Sequence, residues 1–150
     1  NHGWAEESPS IKGTYKLVSR KLPDGTMLSG PDIVGLLTYT KTHRNFNLAW
    51  KDSTGHYRSY SVVSTYKLTT KEYMETPLLI ISNIGISGEG ITYTMTGSSQ
   101  TVPVKMDGKR IEFKMPFDIV RGIPVSAVFD GDSFIGTQEG GFVDTFQKVR

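Results

Sequence analysis

Apolar and polar residues alternate with a period of two along much of the chain. Ile91, Tyr93 and Met95 interleave with Thr92, Thr94 and Thr96; Val102, Val104 and Met106 with Thr101, Pro103, Lys105 and Asp107; Ile111, Phe113 and Met115 with Arg110, Glu112 and Lys114. Successive side chains on a strand point to opposite faces, so each run predicts a strand with one wet and one apolar face. The inward positions expected between residues 91 and 115 are Tyr93, Met95, Val104, Met106, Ile111 and Phe113. Runs rich in Val, Ile, Thr, Tyr and Phe extend the reading to strands over residues 13–20, 35–41, 44–51, 57–69, 72–83, 91–97, 100–106, 109–115, 124–130, 133–138 and 141–149.

Between these runs lie turn residues that supply the positive φ angles tight hairpins need. Asp107-Gly108 is the clearest; Asp130-Gly131-Asp132, Gly140-Gly141 and Asp52-Ser53-Thr54-Gly55 follow the same logic. No window of about eleven residues carries a sustained helical apolar stripe. Only residues 30–33, with Pro31 at a possible first helical position, suggest a helical turn. With no helix to cover the apolar faces, the sheet must cover itself. The expectation is all-β: a closed antiparallel up-and-down barrel of about 8 to 10 strands.

A 150-residue chain has room for one compact domain. A flexible tail over residues 1–10 and a single domain over 11–150 are expected. No stretch approaches the length of apolar sequence that spans a bilayer. The net charge of +2 comes from scattered cations, so neither a membrane span nor a nucleic-acid partner is expected. There is no cysteine, which removes disulfides and thiolate chemistry. Residues 1–7 are too polar for a signal-peptide core, and the compartment stays open between cytoplasm and export.

Three segments carry a family resemblance. The run from Ile11 to Ser19, with Gly13-Thr14-Tyr15, resembles the Gly-x-Trp entrance of lipocalin-like barrels, Tyr15 standing at the Trp position. The run from Val34 to Thr40 is similar to the second-strand motif of the bacterial and fungal lipocalin-like domain family, and that from Phe142 to Arg150 to its closing strand, with Phe146 where Trp is usual. The resemblance implies a calycin-type barrel in which Gly13, Tyr15 and a basic residue of the last strand, Lys148 or Arg150, close one end. It also implies a lumen for a small hydrophobic molecule, or an isomerase or cyclase acting on a hydrophobic natural product.

The residues themselves offer little catalytic signature. His2, His43 and His56 have no metal-ligand spacing, and no metal or cofactor is expected. His43-Arg44 falls in a short connection, read either as a solvated turn or as a functional pair at a barrel rim, a haem or metal ligand or a polar clamp at the mouth. The glycine-rich stretch over residues 85–90 is no phosphate loop; it is read as a long loop or a lid in which Ile84, Ile86 and Ile91 rest on a ligand. Glu75 has an ambiguous facing, because both registers turn apolar from Leu78 to Ile81; turned inward it becomes a polar anchor, with Arg58 or Arg121 beside it. Tyr39, Phe46, Trp50, Tyr60, Tyr66, Tyr93, Met95, Phe113 and Phe129 are candidates to line or fill the lumen, the facing of Phe46 and Trp50 being open. Binding of a small, mostly apolar ligand leads; the enzyme and a rim-loop interaction protein with a filled barrel stand as alternatives, and oligomeric state is not legible.

Overall fold

The structure, a computed structural model, describes residues 9–85 and 90–150. His2, most of the expected tail and the Ile86 part of the proposed lid lie outside them. The strands are β1 (Gly13–Lys21), β2 (Met27–Leu28), β3 (Ile33–Tyr39), β4 (His43–Lys51), β5 (Tyr57–Leu68), β6 (Glu72–Asn83), β7 (Thr92–Thr94), β8 (Gln100–Pro103), β9 (Lys105–Asp107), β10 (Arg110–Val120), β11 (Ile123–Asp130), β12 (Ser133–Thr137) and β13 (Val143–Lys148). Hydrogen bonding orders them β7-β6-β5-β4-β3-β1-β13-β12-β11-β10-β9, with β2 on β1 and β8 on β6, in one antiparallel sheet. It is a hairpin meander in which the last strand returns to pair with the first, Tyr15 opposite Lys148.

The sheet curls into a half-barrel of 11 strands rather than showing the closed barrel expected from the pattern. No ladder joins β6 to β10 among the described residues. The two sides meet through side chains: Tyr73 of β6 stacks on Phe113 of β10 with ring centroids 4.1 Å apart. They also share a segment, since β8 pairs along β6, β9 pairs along β10, and Val104 alone separates them. The 13 strands among the described residues exceed the expected 8 to 10 because β2, β7, β8 and β9 are pieces of two to four residues. Residues 30–32 form a turn, the Asp32 N–H donating to Ser29 O at 2.9 Å, and Ile33 begins β3, so no helix forms there.

Three bulges redirect faces. In β1 the register shifts between Leu17 and Ser19, so Tyr15 and Leu17 point inward, Val18 is 51% exposed, and Arg20 points inward again. In β6 the shift falls at Leu78, which leaves Tyr73, Glu75 and Pro77 on the inner face and turns Leu78 out. In β10 residues 115–118 oppose Val125 alone, which lets Met115 and Pro116 both be buried and carries Asp118 inward.

Tyr93 and Met95 are not inward: they are 64% and 62% exposed, and Thr92 and Thr94 beside them are exposed too. The reason is topological. β7 is a three-residue end strand with a neighbour on one side only, so neither of its faces is covered. Ile111 and Phe113 are buried as expected, and Val104 and Met106 pack half-buried on the core.

Candidate functional site

One end of the half-barrel is solid. Tyr15 is buried, its hydroxyl donating to Ile11 O at 2.9 Å, and its ring meets Phe129 edge-on at 5.6 Å. Burial pushes its phenol up to about 12, with Tyr66 and Asp132 adding to the shift. The Lys148 ammonium lies 5.4 Å over the Tyr15 ring. Gly13 makes room for it: at φ +142° a Cβ there would stand 2.7 Å from Lys148 Cε. Arg150, the other basic candidate, is instead exposed and pairs with Asp132. Tyr39, Tyr66, Tyr73 and Phe113 fill the same end with ring contacts of 4.1 to 6.4 Å. These four are packing, not cavity wall.

The other end is hollow. A partly open cavity of about 490 Å³ lies there, walled mainly by apolar side chains such as Leu37, Leu48, Trp50, Val125, Phe134 and Phe146. Alternation on β4 explains one wall, since Arg44, Phe46, Leu48 and Trp50 share the inward face while His43, Asn45 and Asn47 are exposed. Ile84 and Gly85, which follow β6, also line it, whereas Ile91 is exposed. Of the sequence candidates, Trp50, Arg58, Tyr60 and Arg121 line this space together with Phe46.

Between the two ends runs a buried polar layer. Tyr39 and Tyr73 share a hydroxyl hydrogen bond of 3.0 Å, and Tyr73 donates to Glu75 Oε1 at 2.6 Å. Ser64 and the Arg44 guanidinium donate to Glu75 Oε2 at 2.7 and 3.0 Å. Arg44 also holds Asp118 by two hydrogen bonds, and the Tyr60 hydroxyl lies 2.9 Å from Asp118 Oδ1 and 3.0 Å from Phe117 O. Burial works against the Arg44 charge, but Asp118 and Glu75 together raise its pKa well above the ordinary value. Burial likewise raises the Tyr39, Tyr60 and Tyr73 phenols. Glu75 is therefore inward, yet its cation is Arg44 rather than Arg58 or Arg121, and it sits behind the cavity floor that Arg44, Asp118 and Tyr60 form.

Nearer the mouth, Arg20 and Asp144 pair at 2.7 and 2.8 Å, both buried, with the Arg20 guanidinium 3.9 Å over Phe142 and 5.1 Å from Trp50. Burial raises the Asp144 carboxyl, against the pull of Arg20. Arg58 pairs with Asp52 at 2.9 Å. The Thr54 hydroxyl, then Arg58 and the backbone amides of His56 and Thr54, hold the Asp52 carboxyl far below the usual range. Arg121 is exposed at the rim, in the two-residue turn Arg121-Gly122 between β10 and β11, with φ +52° and +78°. Positive φ at both positions is the type I′ pattern that fits hairpin twist.

Arg20, Asp118 and Asp144 were not among the sequence candidates, and Arg44, expected with His43 in a short connection at the rim, stands instead on β4 with its side chain buried. For two of them a signal was present: Arg44 shares a face with Phe46 and Leu48, and Asp144 shares one with Phe142 and Phe146. A charge on an apolar face, left without a partner in the sequence, implies a buried partner elsewhere. Compared with known proteins, the chain matches no family model, no curated protein and no solved structure.

Proposed function

We propose that the protein is a lipocalin-like barrel that binds one small, mostly apolar molecule in its hollow end. The observation that carries this is the asymmetry of the interior. The same sheet is packed with rings at one end and encloses about 490 Å³ at the other, within the range of small-molecule sites. A few polar groups sit at the floor and mouth of an otherwise apolar wall, which is the arrangement that orients an apolar ligand. A filled barrel acting only through its rim loops has no use for such a space. The meander order, the Tyr15–Lys148 contact at the packed end and the β8–β9 segment shared by the two sides support a closed barrel in solution.

Native mass spectrometry of the purified protein tests the reading, together with thermal melts against an apolar ligand panel. A co-purifying small molecule, or panel members that raise the melting temperature in a saturable way, is the expected result. An empty protein whose melting point no apolar compound shifts contradicts it. Tyr60 and Asp118, hydrogen-bonded at the cavity floor, favour a second reading in which the ligand is a substrate whose isomerisation or cyclisation they assist. Chemical change of a bound compound, lost in Asp118→Asn, distinguishes that reading from simple binding.

A further inference from the structure

We infer that the ligand of this cavity carries a cationic, amine-type group that is seated against Asp118 at the floor. The inference rests on the ligand-binding reading above and adds the chemical class of the ligand. It begins with charge. One guanidinium, Arg44, serves two carboxylates, Glu75 and Asp118, and the three side chains are 2%, 0% and 10% exposed. Among the described residues, the other acidic side chains lining the cavity each pair with an arginine, Asp144 with Arg20 and Asp52 with Arg58. Among the described residues no second cation pairs with Glu75 or Asp118. With both carboxyls ionised, the floor holds one negative charge more than Arg44 neutralises, in a region where water screens little.

Valence gives the surplus a direction. An ionised carboxylate offers about four acceptor positions. Glu75 uses three, on Tyr73, Ser64 and Arg44, and is sealed from the cavity. Asp118 takes two hydrogen bonds from Arg44 and one from Tyr60, and it keeps an edge on the cavity. Oδ1 takes two of these and Oδ2 one, so the acceptor still open is on Oδ2, on a side chain that lines the cavity. The walls beside it suit a cation too, because Phe46, Tyr60 and Phe146 line the cavity and present π-systems that attract ammonium groups. An anionic ligand end meets the opposite situation at the floor, where Arg44 already serves two carboxylates, and nearer the mouth Arg20 and Arg58 are each paired with an aspartate.

Calorimetric titration of the whole protein at neutral pH with decylamine, decanol and decanoate separates the possibilities, since the three share one apolar body. Decylamine is expected to bind about tenfold or more tightly than decanol, and decanoate more weakly than decanol. Asp118→Asn leaves the balanced Arg44–Glu75 pair and should bring the affinity for decylamine down to that for decanol in the same variant. Glu75→Gln leaves the balanced Arg44–Asp118 pair without touching the cavity, and it should reduce the preference through charge alone. Equal affinity for amine and alcohol, tighter binding of decanoate, or an amine preference that survives both substitutions overturns the inference and leaves the cavity reading standing. If none of the three probes binds, the cavity reading falls and this inference with it.

Discussion

Single residues at the packed end set its stability. Tyr15 combines full burial with a hydroxyl bonded to Ile11 O, so Tyr15→Ala should cost about 3 to 5 kcal/mol and Tyr15→Phe about 1 kcal/mol in urea melts. A loss below about 1 kcal/mol for the alanine variant contradicts the assigned role. Gly13→Ala should cost about 1 to 3 kcal/mol, because the Lys148 stem can shift away but the backbone at φ +142° cannot accept a side chain without strain. At the mouth the expectation reverses. Arg121 is held at φ +52° before Gly122, and Arg121→Asn, which tolerates that conformation, should raise stability by about 0.5 kcal/mol. A destabilised Arg121→Asn variant contradicts that account of the turn. The facing of Glu75 was not legible, since the apolar run after Leu78 fits either register; the bulge at Leu78 resolves it by placing Tyr73, Glu75 and Pro77 together inside.

Among the elements, alternation and turn chemistry located nearly every strand, and the bulges account for what they could not show. Strict alternation from Tyr15 and Leu17 assigns Ser19 to the inside and Arg20 to solvent; the shift after Leu17 reverses this and brings Arg20 opposite Asp144. A bulge is an insertion relative to a partner strand, and the inward residue it delivers in β1 is an arginine, so the hydrophobic period of that strand alone does not reveal it. Likewise β7 alternates cleanly and still buries nothing, because period fixes sides but not whether a neighbour covers them. The β1–β13 pair yields a prediction: Asp144→Ala leaves the Arg20 charge buried without its partner and should cost about 3 to 5 kcal/mol, measured by denaturant unfolding. An unchanged midpoint would show that Arg20 escapes to solvent. In β10, residues 115–118 lie outside the ladder to β11, so the amides of Met115, Phe117 and Asp118 should exchange faster than those of Glu112 and Val128. Uniform protection along β10 would contradict the bulge that delivers Asp118 to the floor.

Across the whole molecule, buried phenols tie the fold to pH. Burial raises the phenols of Tyr15, to about 12, and of Tyr39, Tyr60 and Tyr73. Their neutral forms are favoured by folding, so the native state binds more protons than the unfolded chain above the ordinary tyrosine value of about 10. The stability they contribute is complete below that pH and is lost as pH rises through the folded values. In an alkaline titration, phenolate absorbance from these four should appear together with the loss of near-ultraviolet circular dichroism. Ionisation of all seven tyrosines in a protein that keeps its tertiary signal contradicts their burial.

At the same scale, the packed end and the hollow end together support the proposal that this sheet holds a small molecule. Titration of the native protein and a Val125→Phe variant with decylamine and decanol, followed by calorimetry, tests it most directly, because Val125 lines the cavity and a ring there occupies the ligand's space. The account predicts saturable one-to-one binding by the native protein, lost in a variant that stays folded. Absence of saturable binding by the native protein, or binding that the added ring leaves unchanged, would contradict it.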